Sequence, residues 1–166
     1  MDVDRLSTGI SPLDGMMTGG FIKGDFYIVS GGPGSGKSTL AIHYAIKGVE
    51  EGERVAYLSL EEEFEKVQRN MANFGVDLGK AQESGNLMFI KTDPYHIREY
   101  LEKGTQPMLD DIMHFKPHRI IFDSLSGFAV QYETESQVRS NLGRLIYLMQ
   151  KWREQDETPT VLFTVD

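Results

Sequence analysis

Residues Gly31-Gly32-Pro33-Gly34-Ser35-Gly36-Lys37-Ser38-Thr39 form a dense glycine run. It is entered directly from the apolar stretch Phe26-Tyr27-Ile28-Val29 and left through Leu40, Ala41, Tyr44, Ala45 and Val49, which repeat near helical spacing. A strand that ends, turns through glycines and starts a helix within so few residues is the opening of an α/β unit. Glycine tolerates backbone conformations that a Cβ forbids, so successive N–H groups can turn inward and line an anion-binding nest. The helix beginning near Gly36 points its partial positive N-terminus at the same place. The pattern G-x-x-x-x-G-K-[ST] is that of a Walker A loop. It predicts a nucleoside triphosphate cradled by Gly32, Pro33, Gly34, Ser35, Gly36, Lys37, Ser38 and Thr39, with Lys37 between the β and γ phosphates and the Ser38 hydroxyl on Mg²⁺.

A second half-site follows from the strand pattern Arg119-Ile120-Ile121-Phe122-Asp123, an apolar run that delivers a carboxylate at its C-terminal tip. Open α/β sheets bind ligands at those tips, so Asp123 and the glycine loop should meet in one crevice, where Asp123 orients Mg²⁺ directly or through water. The strand Tyr57-Leu58-Ser59-Leu60 ends in Glu61-Glu62. A carboxylate at the tip of a strand beside Asp123 is placed to align a water with the γ phosphate, and Glu61 and Glu62 are the candidates. Acidic residues that open a helix also favour its dipole, and Glu63 fits that simpler role.

Beyond the loop, helical and strand patterns alternate, which predicts an α/β fold with a mainly parallel sheet and helices on both faces. Strands are predicted over 54–60, 86–91, 119–123 and 160–164. Helices are predicted over 62–74, 78–82, 94–115 with an interruption near Gly104 and Pro107, and 133–156. The last helix carries Val138, Leu142, Leu145, Ile146, Met149 and Trp152 as an apolar stripe, with Thr134-Glu135-Ser136 as its cap. Met16, Met17, Met108 and Met113 read as packing, and His43, His96, His114 and His118 lack metal-ligand spacing.

With 166 residues, 40% of them apolar, the chain suits a single domain, 1–166. It has no cysteine, hence no disulfide framework and no thiolate metal site. Its net charge of −8, with no basic patch, argues against nucleic acid as a partner. No stretch approaches the roughly 18 apolar residues of a membrane span, and the N-terminus lacks the basic and apolar character of a signal peptide. A cytoplasmic protein away from membranes is therefore expected.

Together these residues resemble the KaiC family of RecA-like P-loop ATPases. Thr8-Gly9-Ile10-Ser11-Pro12-Leu13-Asp14, with Gly19-Gly20-Phe21, is similar to the family's N-terminal signature. Leu58-Ser59-Leu60-Glu61-Glu62 resembles its paired catalytic glutamates, and the segment from Lys116 to Ser126 resembles its Walker B region. The resemblance implies ATP and ADP as ligands, Mg²⁺ as cofactor, slow hydrolysis, a hexameric ring as the homo-oligomer, a protein partner, and autophosphorylation in the clock members. It also places Asn73 near the adenine, and Val161 to Asp166 on a strand inserted between the Walker A and Walker B strands. The Val165-Asp166 ending departs from the Asn, Gln or Thr that relatives use there as a γ-phosphate sensor. A complete family domain continues with more strands and with basic residues that reach a neighbour's nucleotide, so the chain is expected to be C-terminally truncated. The clock proteins' phosphorylation sites fall in that continuation, which leaves Thr134-Glu135-Ser136 to capping. The alternatives are a small P-loop kinase with Lys91, Arg98 and Lys103 in a lid, a nucleotide-dependent scaffold, and a recombinase-like DNA-binding protein.

Overall fold

The computed structural model describes residues 3–103, 107–151 and 158–166. Five strands make one parallel sheet: β3 (Phe26–Ser30), β4 (Val55–Ser59), β5 (Leu87–Lys91), β6 (Arg119–Asp123) and β7 (Thr160–Val165), in the order β3-β7-β6-β4-β5. A parallel sheet covered on both faces needs apolar side chains in both directions. Accordingly, β4 is buried along its whole length and β6 up to Asp123. β7 lies between the glycine-loop strand β3 and the Asp123 strand β6, and β4 lies on the other side of β6, both as expected.

Helices α2 (Lys37–Glu50), α3 (Phe64–Ala72) and α4 (Leu78–Glu83) cover one face, with Ala41, Tyr44, Val67 and Leu78 packed on Val55, Tyr57, Ile121 and Leu162. Helices α5 (Pro94–Lys103), α6 (Pro107–Phe115), α7 (Ser126–Ala129) and α8 (Glu135–Lys151) cover the other, where Ile97, Ile112, Phe128 and Leu145 meet Ala56, Leu58, Ile120, Phe122 and Phe163. Strand residues alternate between faces, so Ser59, Asp123 and Thr164 fall on the α2 side of the sheet tips. That alternation decides which side chains reach the site.

The N-terminal signature has a structural basis. A short antiparallel pair, β1 (Arg5–Leu6) and β2 (Phe21–Ile22), encloses α1 (Ser11–Met16). Asp14 closes the turn, accepting hydrogen bonds from Ser7 Oγ at 2.5 Å, Thr8 N at 2.8 Å and Thr8 Oγ1 at 2.6 Å. Burial pushes its carboxyl up, but those donors outweigh burial and hold it below its ordinary value.

At the opposite end of the sheet from the loop, the fully buried Arg119 guanidinium ties distant segments together. It donates to Glu53, to Glu51 Oε2 at 3.1 Å, to Ser7 O at 2.7 Å and to Tyr44 O at 2.9 Å, and it lies 4.5 Å from the Tyr44 ring centroid. A buried charge needs such pairing to offset its desolvation. Gly48 makes room for it, since a Cβ there would stand 2.7 Å from Arg119 Nε.

Several boundaries differ from the sequence reading. The β1–β2 pair and α7 are additions, and α8 is described from Glu135 to Lys151, so Trp152 and the rest of the stretch to 156 lie outside the described residues, as does Gly104. Thr134 does cap α8, its Oγ1 accepting from Gln137 N at 3.2 Å. Met17, Met108 and Met113 pack on the core, but Met16 is 84% exposed because α1 buries none of its residues.

Candidate nucleotide-binding site

The turn from β3 to α2 uses glycine where no other residue fits comfortably: Gly34 has φ +75° and Gly36, the residue that caps α2, has φ +94°. Lys37, the first residue of the helix, curls back over the turn. Its ammonium donates to Gly31 O at 2.6 Å and Gly32 O at 3.0 Å and lies 2.5 Å from the Asp166 carboxylate. The Lys37 bond, with a second from Ser126, holds the Asp166 carboxyl below its usual range.

Asp123 stands at the centre of the strand tips. Its Oδ1 accepts from Ser38 Oγ at 3.0 Å, at the start of α2, and from Thr164 Oγ1 at 2.5 Å, at the end of β7. Its Oδ2 accepts from Tyr57 Oη at 2.5 Å, on β4. Burial pushes the Tyr57 phenol well up, and the Asp123 charge adds to it, so Tyr57 remains a protonated donor at neutral pH. The strand ladders extend past their tips through Gly31 N to Val165 O, Leu60 N to Asp123 O and Leu125 N to Thr164 O, at 3.2, 2.8 and 2.9 Å. The adjacent Ser38 hydroxyl and Asp123 carboxylate are hard oxygen donors of the kind that suits Mg²⁺.

Glu61 and Glu62 follow β4 after one residue, Leu60. Ser59 Oγ donates to Glu62 O at 2.5 Å and accepts from Glu62 N at 3.1 Å, which fixes the turn. Glu61 Oε1 accepts from Ser124 Oγ at 2.6 Å, so the first glutamate is tethered to the residue after Asp123. Glu62 Oε1 lies 2.7 Å from Lys66 Nζ.

A cleft of about 310 Å³ brings Ser38, Thr39, Glu61, Glu62 and Asp123 together with Asn70 and Phe74. Asn73 is exposed at the C-cap of α3 and is not among the residues that line this cleft. From the same turn, the 60% exposed Phe74 does line it. Sequence reasoning had not singled out Tyr57, Thr164, Ser124 or Asn70. The first two share a sheet face with Asp123, a relation that appears only once the strand order is known.

The match to a family model described as "ATPase: KaiC" spans residues 6–166. The chain is 35% identical over 125 residues to the circadian clock oscillator protein KaiC of Parathermosynechococcus lividus, covering 75% of this chain and 23% of that protein. It is likewise 35% identical over 125 residues to the KaiC of a Nostoc species, and 34% identical over 125 residues to that of Acaryochloris marina, each covering 75% of this chain and 24% of the relative. The chain thus spans about a quarter of the length of these relatives. Among the described residues, no helix is long and apolar enough to cross a membrane. With its parallel sheet in the order of a RecA-like P-loop core, this chain belongs to the KaiC family of ATPases.

Proposed function

We propose that this chain is a Mg²⁺-dependent, ATP-binding and ATP-hydrolysing domain that acts as a regulatory or signalling module within a ring of like subunits. The observation that carries the reading is the 3.0 Å contact between Ser38 Oγ and Asp123 Oδ1, residues 85 positions apart that meet beside the glycine loop. The backbone N–H groups of Gly32, Gly34, Ser35 and Gly36 and the Lys37 ammonium bind the β and γ phosphates, with Pro33 shaping the turn and Thr39 alongside in the cleft. Ser38 and Asp123 hold Mg²⁺, which offsets phosphate charge when bound. The base lies toward α3, where Phe74 offers a ring face; Asn73 joins it only by family resemblance.

Glu61 and Glu62 orient the attacking water. Its oxygen bonds to the γ phosphorus as the bond to the β–γ bridging oxygen breaks, and a carboxylate takes the proton, leaving ADP and phosphate. The tether from Ser124 to Glu61 supports this role, because a group that aligns a water must itself be held. Assembly into a ring with a protein partner is supported by family resemblance alone. The kinase alternative has less support. Arg98 is engaged by Glu102 at 2.8 Å and by Gln131 O, and Lys103 by Glu99, on a helix packed across the sheet from the loop.

The test is phosphate release with Mg²⁺ and ATP, comparing the protein with a Glu61→Gln, Glu62→Gln double variant. Turnover lost in the variant while ATP still binds supports hydrolysis through this pair; equal turnover in both removes it.

A further inference from the structure

We propose that Ser126 is a positioning residue that acts on Glu61 through Ser124, and that Asp166 restrains turnover by competing for the one hydroxyl proton of Ser126. This rests on the reading that Glu61 orients the attacking water. A serine hydroxyl donates one hydrogen bond and accepts two, whereas an ionised carboxylate only accepts. The 2.6 Å contact between Ser124 Oγ and Glu61 Oε1 therefore uses the single proton that Ser124 has. Ser124 Oγ also lies 3.0 Å from Ser126 Oγ, so in that pair Ser126 must be the donor.

The proton of Ser126 has a second claimant. Its hydroxyl also bonds to the Asp166 carboxylate, while the Asp166 N–H donates back to Ser126 Oγ at 2.9 Å. Both acceptors cannot be served at once. A charged acceptor makes the stronger bond, so Asp166 draws the proton away from Ser124. Ser124 then keeps the Ser126 N–H, at a long 3.3 Å, as its backing. The Asp166 N–H bond also holds that residue beside Ser126 when a phosphate takes Lys37 from its carboxylate.

Glu61 feels the difference because hydrogen bonds in a chain reinforce one another: a hydroxyl that accepts a bond donates a stronger one. Ser124 is 6% exposed, so water has little access to stand in for the missing donor. Ser126 opens α7 and meets the tip of β7 on one side and the residue after β6 on the other. One hydroxyl thus joins the tip that reaches Lys37 to the group that holds the water-aligning carboxylate.

The test is phosphate release at saturating ATP and Mg²⁺, with KM measured alongside. Ser124→Ala should lower kcat about tenfold or more, because misplacing an orienting group is costly, with KM and the circular dichroism spectrum unchanged. Ser126→Ala should lower kcat by a smaller factor. The Ser124→Ala, Ser126→Ala double variant should match Ser124→Ala alone, because one serine acts through the other. Asp166→Asn keeps an acceptor oxygen but removes its charge, so it should raise kcat in the otherwise unsubstituted protein and leave it unchanged in a Ser126→Ala background. Effects of the two serine variants that multiply overturn the relay. No gain from Asp166→Asn, or a gain that survives without the Ser126 hydroxyl, overturns the competition. If Glu61→Gln itself leaves kcat unchanged, the underlying reading of Glu61 fails instead.

Discussion

The Lys37 ammonium lies 2.5 Å from the Asp166 carboxylate, so the cation of the glycine loop and the acid at the tip of β7 are direct partners. A γ phosphate and Asp166 are both anions that seek the same ammonium. Asp166→Asn should therefore tighten ATP binding several-fold, with a smaller gain for ADP, which lacks the third phosphate. The gain should shrink as salt is raised, because Asp166 is half-exposed. Equilibrium titration with both nucleotides at two ionic strengths checks this, and equal gains for ATP and ADP would argue against competition at the γ position.

Lys37→Ala removes a cation whose hydrogen bonds to phosphate oxygens are charge-assisted. Such bonds are worth about 1.5–3 kcal/mol, which corresponds to roughly 10- to 150-fold in affinity. Nucleotide binding should weaken by at least that lower bound with the fold intact by circular dichroism.

Two glycines in helices should respond oppositely to alanine. At Gly48 a Cβ would stand 2.7 Å and 2.8 Å from Arg119 side-chain atoms and 2.9 Å from Val55 Cγ2. The immobile, buried guanidinium cannot yield, so Gly48→Ala should cost about 1–3 kcal/mol. At Gly143 on α8 nothing lies within 4 Å, and Gly143→Ala should stabilise by about 0.4–1 kcal/mol through the unfolded chain. Urea unfolding of both variants decides the matter.

Asp14 predicts a pH dependence. Burial raises its carboxyl pKa, but the hydrogen bonds from Ser7 and Thr8 dominate and leave the folded value below the ordinary 3.8. A depressed folded pKa means stability that is fully present above the unfolded value and lost as pH falls through the folded one. Asp14→Asn should therefore unfold at a lower temperature than the unsubstituted protein at pH 7. The gap should narrow below about pH 4, where Asp14 takes up its proton. A gap independent of pH would assign the effect to shape rather than charge.

What the sequence revealed, and what it hid, follows from how local each signal is. The glycine loop, the Asp123 strand and the Glu61-Glu62 tip are contiguous patterns whose chemistry needs those residues in that order, and the structure brings all three to the C-terminal ends of the parallel strands. Tyr57 reads in the sequence only as a residue of the strand leading to Glu61-Glu62, because its partner is 66 positions away and becomes visible only through the β4–β6 register. Arg119 reads as the first residue of an apolar strand, yet among the described residues it is the largest fully buried side chain, and it holds Glu51 and Glu53. Met16 departs from the packing role its apolar character suggests, because such character on a short helix does not reveal whether that helix faces the core.

ATP binding titrated with and without Mg²⁺, on the protein and on Asp123→Asn, tests most directly whether Ser38 and Asp123 form the cation half of a nucleotide site. Binding that Mg²⁺ strengthens in the unsubstituted protein, and no longer strengthens in Asp123→Asn, is the expected result. Binding that ignores Mg²⁺ in both, or no ATP binding at all, would contradict it.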